Sequence, residues 1–202
     1  MPRVNTVVAR ASKRERNCTK CSEPIEVGQA VHNWTRRNYP TQYMHVACGF
    51  PKPSQLYSRK TASIEDLLQD ADFTFSETLS EEYGPGDEYE IDTAHVTSVL
   101  EEIADVAESV GEEYEESADN LPEGLQQGYQ AEALRDVAER LRSWADELRQ
   151  TEFETSVELS ELLPDEGLDT WRDDAQGEVD AAIDSIIEAA NDAVGEMPEY
   201  EG

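Results

Sequence analysis

Cys18, Cys21, His45 and Cys48 form the most specific chemical pattern in the chain, C-x2-C followed after 23 residues by H-x2-C. Divalent zinc takes four soft or borderline ligands at tetrahedral corners, and two tight ligand pairs, each on its own turn, supply them. All three cysteines of the protein belong to this set, so no partner remains for a disulfide framework. Three cysteines and one histidine make a closed coordination sphere with no position for a reactive water, which points to a structural metal rather than a catalytic one. His32 lies nearby but has no ligand at short spacing; a solvent-facing or hairpin role is expected for it, and an ordinary surface role for His95. No nucleophile–base arrangement, glycine-rich phosphate loop or His-Glu-x-x-His motif occurs, so no enzymatic activity is expected.

The second chemical feature is basic. Trp34-Thr35-Arg36-Arg37-Asn38-Tyr39 places two arginines between two aromatics, with Tyr43 following. Arginines grip phosphates while an aromatic ring stacks on an exposed base. Arg14, Arg16, Lys20, Trp34, Arg36, Arg37 and Tyr39 are the candidate nucleic-acid contacts, with Arg36 and Arg37 ahead of Trp34, which could instead be the small core of the metal module.

Charge divides the 202 residues into opposite halves. Residues 1–60 hold eleven Lys and Arg against three Asp and Glu, a formal +8. Residues 61–202 hold five Arg, no Lys and 43 acids, a formal −38. Such asymmetry points to separate jobs for the two halves. An excess of acids with only four lysines is the balance of proteins that work in molar salt, and equally of acidic interaction domains or DNA mimics. No signal-peptide pattern is present and no stretch approaches ~18 apolar residues, so a soluble, cytoplasmic protein without membrane contact is expected.

The elements that must position these residues follow from pattern. Residues 1–16 read as a flexible basic arm and 17–60 as the metal module. Val27, Val31 and Trp34 alternate with polar residues after Gly28, which predicts a short β-hairpin. His45 and Cys48 are expected to open a short helix that stops before Pro51 and Pro53. Residues 61–91 read as a weak helix over 63–70, capped by Ser63 and Asp66, then an acidic linker containing the Gly84-Pro85-Gly86 turn.

Residues 92–197 form an acidic helical domain, and 198–202 a tail. Val96, Val99, Ile103, Val106 and Val110 recur at steps of three and four. So do Leu134, Val137, Leu141, Trp144 and Leu148, and again Val179, Ile183, Ile186, Ala190 and Ala193. Each stripe predicts one buried helix face, on helices of up to about 26 residues or ~39 Å. Asn120-Leu121-Pro122-Glu123-Gly124 separates the first two helices, and Thr170 with Asp173 is the expected cap of the third. The connection before the third helix has room for a short helix near Val157–Leu163 or for strand pairing near Phe153. The expected fold class is mainly α: a zinc-stabilised finger of hairpin and short helix, then an acidic three-helix bundle. The rival is a helical hairpin pairing with a second copy as a coiled coil.

Residues of about 10–60 resemble the PARP-type zinc finger. The resemblance lies in Cys18-Thr19-Lys20-Cys21-Ser22-Glu23-Pro24-Ile25, Gly28 and His45-Val46-Ala47-Cys48-Gly49-Phe50-Pro51-Lys52-Pro53. It implies Cys18, Cys21, His45 and Cys48 as zinc ligands and DNA as a partner, although the 23-residue spacing is shorter than the family's usual insert. The stretch Glu116-Ser117-Ala118-Asp119-Asn120, with Glu123-Gly124 and Leu141 to Leu148, looks like acidic helical regions of uncharacterised phage and prokaryotic proteins. That likeness implies no activity. Together these readings predict a DNA-binding finger joined to an acidic domain for self-association or protein-partner docking. The alternative is a protein-interaction or DNA-mimic module in which zinc is purely structural.

Overall fold

The computed structural model describes residues 4–9, 16–35, 40–56, 60–162 and 167–198. The chain divides into two compact units, Met1–Gln69 and Asp70–Gly202.

The first unit is built on a three-stranded antiparallel sheet in the order β1 (Asn5–Val8), β2 (Ala30–Trp34), β3 (Gln42–His45). A β2–β3 hairpin is present, but Val27 lies outside it and is exposed, Val31 and Trp34 fall on opposite faces, and the sequence reading missed β1. Asn5–Val8 is not part of a free arm; it pairs with β2, Val7 facing Val31. Gly28, at φ 96°, makes the turn into β2, its N–H donating to the Ala9 carbonyl while Ala9 N–H reaches Gln29 O. Cys18, Trp34, Met44 and Leu56 form the core, with Val4, Ile25 and Cys48 packed around it.

After β3 the expected short helix is a single 3₁₀ turn over Val46–Cys48, with His45 at its N-cap, and it stops before Pro51. Pro53 instead begins α1 (Pro53–Leu56), because the first helical position needs no N–H donor. α2 (Ala62–Asp70) starts one residue before the predicted cap. Ser63 lies inside it, with Oγ donating to Lys60 O, and Asp66 instead accepts from the backbone N–H and hydroxyl of Ser54.

In the second unit helices dominate. α3 (Ala94–Asp119) and α4 (Tyr129–Arg149) lie antiparallel, as four ion pairs in descending register require: Arg135–Asp119, Arg142–Glu115 and Arg149 with both Asp105 and Glu108. Of the predicted stripes Val96, Ile103, Val110, Leu141, Trp144 and Leu148 are buried, Val99, Val106, Leu134 and Val137 are half-buried, and Leu100 joins the buried face. The two backbones come so close at Gly111 that a Cβ there would sit 3.2 Å from the Ala138 carbonyl oxygen. α5 (Leu168–Gly195) buries Trp171, Ala175, Val179, Ile183, Ile186 and Ala190. Gly167 precedes its first turn, so Thr170 is helical rather than a cap.

Residues 71–91 are not a linker. β4 (Glu88–Glu90) pairs antiparallel with β5 (Ser156–Glu158), so the connection before α5 carries a strand and not an extra helix. Phe73, Leu79, Tyr89 and Ile91 are buried, and Gln176 of α5 ties the segment down through Leu79 N–H and the Glu77 carbonyl. A run rich in acids reads as solvated chain; its few apolar residues, spaced too irregularly to show a period, are what anchor it.

Each of the three tryptophans is buried and donates its indole N–H to a main-chain carbonyl: Trp34 to Gln55, Trp144 to Ala193 and Trp171 to Ser160. Gln55 and Ala193 lie in the last turns of α1 and α5, where carbonyls lack helical partners. No described helix is long and apolar enough to cross a membrane.

A candidate metal centre

The two halves of the quartet ride on two different turns. Cys18 to Cys21 is a tight loop closed by Ser22 N–H to Cys18 O at 2.9 Å, with Ser22 in the left-handed region at φ 62°. Cys18 N–H donates to Glu23 O and Thr19 N–H to Tyr43 O, which fastens this loop to β3. His45 ends β3, and the 3₁₀ turn that follows carries Cys48 back toward it, closed by Gly49 N–H to Val46 O.

The ligand atoms of Cys18, Cys21, His45 and Cys48 all lie within 4.8 Å of one another, close enough to hold a metal ion. Metal–sulfur bonds of ~2.3 Å and metal–nitrogen bonds of ~2.0 Å at tetrahedral angles place sulfurs about 3.8 Å apart and sulfur about 3.5 Å from nitrogen. Cys18 Sγ is 3.8 Å from Cys48 Sγ, Cys21 Sγ is 3.5 Å from His45 Nδ1, and Cys48 Sγ is 3.9 Å from His45 Nδ1. Two of these three separations match the edges of such a tetrahedron, and the third is about 0.4 Å longer.

Gln29 completes the arrangement, and the sequence reading did not find it. Its side-chain oxygen accepts the Glu26 N–H at 2.8 Å, which identifies that atom as oxygen, and lies 3.1 Å from His45 Nε2. Nε2 therefore carries the ring proton, and Nδ1 presents its lone pair to the three sulfurs. A glutamine one residue before a strand gives no sequence signal; only the fold brings it to His45.

The thiols are unequal. Burial raises the pKa of Cys18, but backbone N–H donors from Cys21, His45 and Lys20 outweigh it and bring the thiol down to about 6. Cys48 is pushed up to about 11 by burial and then by its neighbours Cys21 and Cys18. Three sulfurs in so small a space resist sharing negative charge, and a divalent cation among them removes that conflict.

His32 is not part of the centre. It is buried on β2, its Nδ1 3.0 Å from Thr6 Oγ1 and its ring edge-on to Phe50 at 5.2 Å, so it is not solvent-facing. His95 is exposed and donates Nε2–H to Asp72 O.

The candidate nucleic-acid contacts are only partly brought together. Trp34 is 1% exposed, packed in the finger core and fixed to Gln55, so neither ring face is open to a base. Lys20 is exposed on the Cys18–Cys21 loop, and the Arg16 guanidinium lies over the Tyr43 ring, 4.7 Å from its centroid. Arg14, Arg36, Arg37 and Tyr39 lie outside the described residues. No family model, curated protein or solved structure matches this chain, so none of the three supports the PARP-type resemblance.

Proposed function

We propose that this is a non-enzymatic zinc protein whose first unit binds nucleic acid, DNA in the first instance, through its basic surface. The observation that carries the reading is the Cys3His quartet with its ligand atoms within 4.8 Å of one another, since sulfur-rich closed sites favour zinc and stabilise small units that lack a large core. Arg16 and Lys20 stand on the metal-bearing scaffold, and Arg36 and Arg37 follow β2 in the same +8 region. The acidic unit serves self-association or the docking of a protein partner.

The test is metal analysis of the full chain followed by a DNA titration at 50 and 200 mM salt. One bound zinc is expected, with affinity falling by ~10³ between the two salts if about six phosphates are contacted. Joint substitution Arg36→Glu and Arg37→Glu should abolish binding without loss of zinc. A zinc-loaded protein that binds no DNA at either salt refutes the nucleic-acid reading.

One observation favours a second reading, a DNA-mimic or protein-docking role for the acidic unit. All five of its arginines are engaged: Arg135, Arg140, Arg142 and Arg149 in ion pairs, and Arg172 on the carbonyls of Ser80 and Glu81. The remaining acids on the outer faces present negative charge to a basic surface. Pull-down of the full chain by a defined basic protein, competed by DNA, distinguishes this role.

A further inference from the structure

We propose that single-stranded nucleic acid is the ligand of the first unit, and that it sits in the groove beside Arg16 and Tyr43. This rests on the nucleic-acid reading above and names the site and the form of the ligand.

The groove has a volume of about 560 Å³, and its lining includes Val7, Val8, Arg16, Val31, Asn33 and Tyr43. Cross-strand neighbours share a face of a sheet. Asn33 faces Tyr43 across β2 and β3, and Val7 faces Val31 across β1 and β2. The opposite face carries Trp34 and Met44 into the core. The fold thus spends one face on its interior and leaves the other with an aromatic ring, a guanidinium, an amide and apolar side chains.

On this face Val7 is 39% exposed, on a strand that carries no charged residue to repel a partner, while Val31 beside it is buried and Val8, at the rim, alternates to the other face. Each group matches a part of an unpaired nucleotide. The Arg16–Tyr43 stack extends a flat surface for a base, Val7 covers apolar ring area, the Asn33 amide can both donate to and accept from a base edge, and Arg16 brings positive charge for the backbone. A duplex hides its base faces by stacking and pairing, so it would meet only the charge and leave the ring and Val7 wet. That mismatch selects the unpaired strand.

The groove is also tied to the metal turn. Ile25 N–H donates to Arg16 O at 2.7 Å, and Thr19 N–H donates to Tyr43 O at 2.9 Å. Both halves of the stack are therefore held by the loop that carries Cys18 and Cys21, and loss of the metal dismantles the platform.

The experiment uses the full zinc-loaded chain with labelled oligothymidine, oligouridine and a duplex of equal length, read by fluorescence anisotropy at 200 mM salt. At least one single strand is expected to bind about ten-fold or more tightly than the duplex, and comparison of the two shows whether the sugar matters. Tyr43→Leu should weaken single-strand binding about ten-fold and leave duplex binding and zinc content unchanged. Arg16→Lys, which keeps the charge and loses the plane, should likewise weaken single-strand binding more than duplex binding, with zinc retained, and serves if Tyr43→Leu loses zinc. Equal affinity for single strand and duplex, unmoved by either substitution, overturns the groove while nucleic-acid binding stands. No binding of any probe, at this salt or on repeating the titration at 50 mM, overturns both.

Discussion

The two units solve the problem of stability by opposite means. The helical unit has continuous seams: Leu100, Ile103, Leu141, Leu148, Val179 and Ile186 are all buried on long helices, and its ion pairs lie outside them. The finger has strands of four or five residues and one small core of Cys18, Trp34, Met44 and Leu56, in which a metal ligand is itself a core residue. Apolar area removed from water holds the first kind of structure together. In the second, an ion held by Cys18, Cys21, His45 and Cys48 would supply in bonds what the small core lacks in area. The lesson is that metal and apolar seam are interchangeable sources of order, each used where the other is unavailable.

The comparison breaks if both units respond alike to loss of the metal. Cys21→Ser, or chelation, should remove the ion and melt the sheet of the first unit, since structural zinc contributes on the order of 10 kcal/mol to such modules. The helical signal in circular dichroism should persist and melt at its unaltered temperature. The mirror experiment is Leu141→Ala. Truncation of a fully buried side chain should cost the helical unit about 2–5 kcal/mol in denaturant melts while zinc stoichiometry stays the same. A finer probe is Gln29→Ala, which leaves every ligand in place and removes only the acceptor that orients His45. Zinc affinity should fall about 10–100-fold in a competition titration with a chromophoric chelator, with no change in the melting of the helices.

What the sequence disclosed tracks how local each signal is. The quartet was legible because ligand spacing is a covalent fact, and the three long helices because a stripe at steps of three and four needs no partner to be recognised. β1 was hidden: Asn5-Thr6-Val7-Val8 is four residues, flanked by basic chain, and becomes a strand only when β2 is beside it. β4 and β5 were hidden for the same reason, since Glu88-Tyr89-Glu90 and Ser156-Val157-Glu158 pair across 65 or more residues and carry one apolar side chain each. Trp34 was ambiguous because an aromatic beside two arginines fits a core or a platform equally well, and only burial decides. Tyr43, the ring that does remain at the surface beside Arg16, differs from Trp34 in strand parity and in nothing the composition displays.

The three indole-to-carbonyl clasps have an optical consequence. One of them, at Trp34, lies in the finger, and the other two, at Trp144 and Trp171, lie in the helical unit. Intrinsic emission therefore carries two signals that can be separated by replacing Trp34 with phenylalanine. What remains then reports the helices alone, and the difference spectrum reports the finger, packed among sulfurs that quench it until it opens. The protein comes with its own pair of dyes, one for each half of its architecture.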